Sequence, residues 1–76
     1  MTVIPSVSYK KVVHALERAG FRFARQESSH IQMVKFSPAG ERINITVPTY
    51  KPIPRYLLAK IIKQAQISVE DFLGYL

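Results

Sequence analysis

Hydrophobic positions recur along this chain with two periods, and the change from one to the other divides it into elements. Tyr9, Val12, Val13, Leu16 and Ala19 fall three and four residues apart, with Lys10, Lys11, His14, Glu17 and Arg18 between them. That spacing lays one apolar stripe along a helix. Ser8 stands before it with the character of an N-cap, accepting bonds from orphan amides. Gly20 follows it, where a left-handed residue is least costly. From Phe21 the period falls to two. Residues 21–26 read as a strand with Phe21 and Phe23 inward and Arg22 and Ala24 outward. Glu27, Ser28 and Ser29 favour a turn, because their short polar side chains bond locally to backbone.

His30–Phe36 is the next strand, with Ile31 and Met33 on one face and His30, Gln32 and Val34 on the other. Ser37-Pro38-Ala39-Gly40 is a hairpin turn, with proline suited to its second position and glycine to its last. Residues 42–47 make a third strand, with Ile43, Ile45 and Val47 inward and Arg42, Asn44 and Thr46 outward. Pro48, Pro52 and Pro54 stiffen the connection that follows and remove backbone donors. Pro54 suits the first turn of a second helix, whose stripe is Leu57, Leu58, Ile61, Ile62 and Ala65. Ser68, followed by Glu70 and Asp71, opens a short last helix with Val69, Phe72, Leu73 and Leu76 as its apolar edge.

The order is helix, three strands, helix, short helix. It predicts an α+β fold in which a three-stranded antiparallel meander carries two helices on one face and leaves the other wet. Residues 1–7 read as a loose lead-in interrupted by Pro5, and residues 8–76 as a single domain. With 76 residues, the chain buries only about 60% of the surface its unfolded form exposes, so a single core supplies roughly 3–5 kcal/mol.

Composition narrows the chemistry. The chain has no cysteine and two histidines, so no disulfide and no thiolate metal site is expected; metal and cofactor are both expected to be none. Eleven Lys and Arg against five Asp and Glu give a net charge of +6. That balance points to a polyanionic partner, nucleic acid first and an acidic protein second. No apolar run reaches the length of a membrane span and no signal peptide is present, which makes a cytoplasmic protein the default and a membrane partner unexpected.

Several segments together carry a resemblance. Gly20-Phe21 ends a helix, Arg25-Gln26 follows, Ser29-His30 opens a strand, and Thr46-Val47-Pro48 closes a third. With Leu57 to Ala65 and Ile67 to Leu73, this order resembles the HicA (YcfA-like) family of small toxins from bacterial toxin–antitoxin pairs that cleave mRNA. The resemblance covers residues 8–76. It implies a double-stranded-RNA-binding-domain-like α-β-β-β-α fold, RNA as substrate and a HicB-type antitoxin protein as partner. It also implies that His30 is the catalytic histidine and that Ser29 positions the imidazole or the phosphate. The chain departs from the family pattern where glycine usually precedes the Ser-His pair (here Ser28). It departs again where a second histidine often follows (here Ile31), where a histidine follows the Val-Pro (here Thr49-Tyr50), and where glycine follows the second helix (here Gln66).

The chemistry implied is transesterification. A base takes the 2′-hydroxyl proton, the oxygen attacks phosphorus, and an acid protonates the departing 5′-oxygen. Histidine suits either transfer near neutral pH, and neighbouring cations stabilise the charge that builds on phosphorus. The departures leave His30 as the sole candidate acid–base group, so a slow enzyme is expected. Arg22, Arg25, Lys35 and Arg42 are expected near the wet face and Lys51 near its edge. Lys51, Arg55, Lys60 and Lys63 fall where the double-stranded-RNA-binding fold contacts phosphates. His14, set among charged neighbours, reads as a solvated surface residue. Two other readings fit the same residues: a non-catalytic RNA-binding module of this fold, and a basic protein-interaction domain.

Overall fold

The computed structural model describes residues 3–76. Its elements are α1 (Tyr9–Arg18), β1 (Arg22–Glu27), β2 (His30–Phe36), β3 (Arg42–Pro48), α2 (Arg55–Gln64) and α3 (Val69–Tyr75). The sheet is antiparallel with strand order β1-β2-β3. The helices cover one face, which gives a two-layer α+β domain only 17 Å across its shortest axis.

The alternation read from the sequence sets the core. Ile31 and Met33 of β2, and Ile45 and Val47 of β3, are buried against Val12, Ala15 and Leu16 of α1, Leu58, Ile61 and Ile62 of α2, and Phe72 of α3. β1 departs from expectation. All six of its residues are exposed, and Phe23, expected inward, is 53% exposed. Phe23 does pair with the buried Met33, so it lies on the helix side of the sheet. The three helices do not reach over this outer strand far enough to cover it. A register shift between Phe23 and Arg25 then leaves Ala24 as an extra residue, and Gln26 rather than Arg25 comes opposite Ile31. Only Phe21, just ahead of the strand, reaches the core.

The helix ends show how local and tertiary bonds share the capping. Ser8 takes the N-cap position of α1, but its side chain makes no cap bond. Its carbonyl accepts from the Lys11 and Val12 amides, and the Tyr9 amide donates to the Tyr50 carbonyl at 3.1 Å. A distant loop therefore satisfies one of the orphan donors of the first turn, one that an N-cap side chain does not reach. At the other end the Phe21 amide donates to the Leu16 carbonyl, the Gly20 amide donates to the Glu17 carbonyl, and Gly20 has φ +102. This is the Schellman arrangement, in which both residues flanking the closure, Leu16 and Phe21, are buried. Pro54 stands at the N-cap of α2, one residue before the first turn. Ser68 caps α3 as expected, its hydroxyl accepting from the Asp71 amide at 3.0 Å.

The lead-in is tied down where it is described; Met1 and Thr2, at its start, lie outside the described residues. Val7 bridges Ile53, whose amide donates to the Val7 carbonyl at 2.8 Å, and the Ser6 hydroxyl donates to the Ile53 carbonyl. Ile4 and Val7 pack on the core because fully buried Ile53 brings them there.

This packing can be tested at two positions. Phe72→Ala empties the centre of the α3 contact, and such a truncation costs about 3–5 kcal/mol. That equals the whole expected stability of so small a domain, so circular dichroism should show the variant largely unfolded at 25 °C. Gln66 follows the α2 C-cap with φ +60, a left-handed conformation that disfavours a side chain. Gln66→Gly should stabilise the fold by up to about 1 kcal/mol in urea denaturation.

Candidate active site

His30 is positioned by a tight turn. β1 and β2 are joined by two residues, Ser28 and Ser29, and the ladder on either side pairs Glu27 with His30. Ser28 has φ +55. Two-residue hairpins need such a conformation at their first central position, which is why glycine or asparagine is usual there. Serine takes it at about 1 kcal/mol of strain. The Gln26 amide group donates to the Ser28 carbonyl at 3.3 Å and helps hold the turn.

The opposite side of His30 is held by β3 and the residues beyond it. His30 pairs with Pro48. The Thr49 amide donates to the Ser29 carbonyl at 2.9 Å, and the Thr49 hydroxyl donates to the same oxygen at 3.2 Å. Ser29 thus contributes its backbone carbonyl to the site's framework. Tyr50 comes next, fixed through its own carbonyl to the Tyr9 amide. The chain after β3 is therefore clamped at two successive residues, and it presents the Tyr50 ring, 49% exposed, beside the exposed His30.

These residues line a groove of about 420 Å³ between the edge of β3 and α2. His30, Asn44, Thr46 and Tyr50 form one wall, and Lys60 and Gln64 stand on the other, with Leu57 and Ile61 as its apolar part. The groove can seat an anionic group between an imidazole and an ammonium, with amide and hydroxyl groups at hand. The Thr46 hydroxyl donates to the Gln32 side-chain oxygen at 2.9 Å, so this part of the wall is already oriented.

The remaining cations divide among several surfaces. Arg22, Arg25 and Arg42 lie on the open face of the sheet with His30, as the register requires. Arg25 is paired with Glu27, both side chains largely exposed, and the Arg42 Nε donates to Asn44 Oδ1 at 2.8 Å. Lys35 does not join them. It pairs with Ile43 on the helix side, and its Nζ donates to the Ala19 carbonyl at 2.8 Å while lying 5.7 Å from the centre of the Phe21 ring. A lysine here neutralises the carbonyl end of α1, which is a structural role. Lys51 lies over the Tyr9 ring at 5.8 Å, away from the groove lining. Arg55 and Lys63 are exposed on α2 but do not line the groove. His14 is exposed, in keeping with its charged neighbours.

Tyr50 and Gln64 are the lining residues that sequence reasoning missed. Gln64 carries a faint signal, lying four residues after Lys60 and so on the same side of α2. Tyr50 has no signal in the periodicity, since the proline-rich connection has no period from which to read a direction; its one pointer is the resemblance, which implies a histidine just after Val47-Pro48. Among the described residues no three histidine, cysteine, aspartate or glutamate side chains come together, and no helix is long and apolar enough to cross a membrane.

Residues 9–67 match the family model described as the HicA toxin of bacterial toxin–antitoxin. The match takes in α1, the whole sheet, α2 and every groove residue, and stops before α3. No curated protein matches the chain. The chain therefore belongs to the HicA toxin family of bacterial toxin–antitoxin systems, which implies an antitoxin partner.

Proposed function

We propose that this protein is a metal-independent endoribonuclease that cleaves mRNA with His30 as its acid–base group. The observation that carries the reading is the shared groove of His30 and Lys60, open to solvent beside a basic sheet face. RNA supplies its own nucleophile. Once the 2′-hydroxyl loses its proton, O2′ attacks phosphorus and the P–O5′ bond breaks. The products are a 2′,3′-cyclic phosphate and a 5′-hydroxyl. His30 performs one of the two proton transfers, and water or a phosphate oxygen takes the other, which makes the enzyme slow. The Lys60 ammonium faces the charge that grows on the phosphoryl oxygens. Arg22, Arg25 and Arg42 hold flanking phosphates, and Arg55, Lys51 and Lys63 add long-range attraction. A HicB-type antitoxin with an acidic or apolar surface would silence the enzyme by covering His30 and the basic face.

Purified protein, incubated with a long single-stranded RNA in EDTA, should yield cyclic-phosphate ends. His30→Ala should lower the rate by roughly 10²–10⁴-fold while leaving the circular dichroism spectrum unchanged. If neither protein cleaves and both keep salt-sensitive RNA binding, the chain is instead a non-catalytic RNA-binding module.

Lys60→Ala should slow cleavage about tenfold, less than the 10²–10³-fold of a buried preorganised donor because Lys60 is exposed. It should also reduce the salt dependence of RNA binding by about one counterion. Rates and affinities measured across a salt series check both effects.

A further inference from the structure

The open sheet face runs well past the groove. β2 places His30, Gln32, Val34 and Phe36 on it in succession, with Arg42 opposite Phe36 and Asn44 opposite Val34. Phe36 is 61% exposed, so the flat face of an aromatic ring is open to solvent here. Among the described residues no helix lies on this side to bury it. Beside it the Arg42 guanidinium is held by Asn44, and β1 adds Arg22 opposite Val34. The three strands contribute one carboxylate to this face, Glu27, and it is already paired with Arg25.

We propose that this end of the sheet is a base-stacking subsite for single-stranded RNA, with Phe36 as the platform and Arg42 and Arg22 holding the phosphates on either side. The subsite rests on the reading of the groove as the ribonuclease centre. An exposed aromatic ring among arginines suits an unpaired strand, because every base offers an apolar face for stacking and every linkage offers a charge. A duplex hides its base faces within its own stack, so it cannot use the ring. An acidic protein would meet the same arginines but leave the flat ring without a defined counterpart. A β-strand rises about 3.3 Å per residue, which puts Phe36 about 20 Å from His30. The ring therefore grips a nucleotide several positions from the scissile bond. The RNA runs along β2, so the sheet rather than the helices sets its direction.

Binding of a labelled eight-nucleotide single-stranded RNA tests this, measured by fluorescence anisotropy in a His30→Ala background to prevent cleavage. Adding Phe36→Ala should weaken binding roughly 5- to 20-fold. Phe36→Trp should keep or improve it, and Phe36→Leu, apolar but unable to stack, should behave like alanine. An abasic strand of the same length, with no base to stack, should bind all four proteins alike. Equal affinity for the base-bearing strand with and without the Phe36→Ala substitution would overturn the subsite. So would full binding by the leucine variant, or a duplex of the same sequence bound as tightly as the single strand. Loss of antitoxin binding alone, with RNA affinity intact, would make the face a protein interface and overturn it too. The assay reads binding, so its failure is distinct from failure of the ribonuclease reading, which shows as absence of His30-dependent cleavage.

Discussion

The β2–β3 ladder is the constraint on which the rest of the molecule depends. Its register sets Ile31 opposite Val47 and Met33 opposite Ile45 beneath the helices, and His30 opposite Pro48 on the other side. Side chains alternate with a period of two, so a slip of one residue would bury the imidazole and put Ile31 and Met33 in water. The four apolar side chains are each less than a tenth exposed, and burying them is worth several kcal/mol together. The core thus selects the register, and the register puts His30 on the open face. Thr49 extends the same pairing past the end of β3 by bonding twice to the Ser29 carbonyl. Ordering the groove is in this sense a by-product of building the core.

Charge is distributed by a similar division. Lysines and arginines occur along the whole chain, but the fold puts them to different uses. Lys35 faces the carbonyl end of α1 and donates to Ala19. In that position it offsets a helix end left without intrahelical partners. Lys60 of α2 lines the groove, and among the described residues no carboxylate lines it. Arg25 shares its charge with Glu27 at an exposed site, where such a pair contributes little to stability. A net charge of +6 therefore overstates the basic surface around His30. Lys60 of α2 lines the groove, while Arg22, Arg25 and Arg42 of β1 and β3 are spread along the open sheet face, a division that only the assembled domain sets.

Among the described residues, the non-glycine positions with left-handed backbone lie in connections. Ser28 and Gln66 take left-handed backbone conformations, which favour glycine, at the two positions where the resemblance implies one. The hairpin that carries His30 thus keeps a two-residue turn despite the serine. The pairing of Glu27 with His30 fixes the length of that turn.

Element order, the two helical stripes, the inward faces of β2 and β3 and the Ser68 cap are legible in the amino-acid sequence, because each rests on contacts with a short period or on local bonds; the family is legible through the order and spacing of the segments that resemble it. His30 on the wet face is legible for the same reason. What only the tertiary structure decided is which elements end up covered and which side chains meet. Phe23 has the correct parity for the core yet lies beyond the reach of the helices. Ser8 has the chemistry of a cap yet its side chain makes no cap bond. Lys35 has the charge for the site yet turns to the end of α1. Tyr50 and Gln64 reach the groove of His30 from parts of the chain 20 and 34 residues away. Periodicity gives a residue's face within its own element; the packing of helices on a sheet of finite width determines what that face meets.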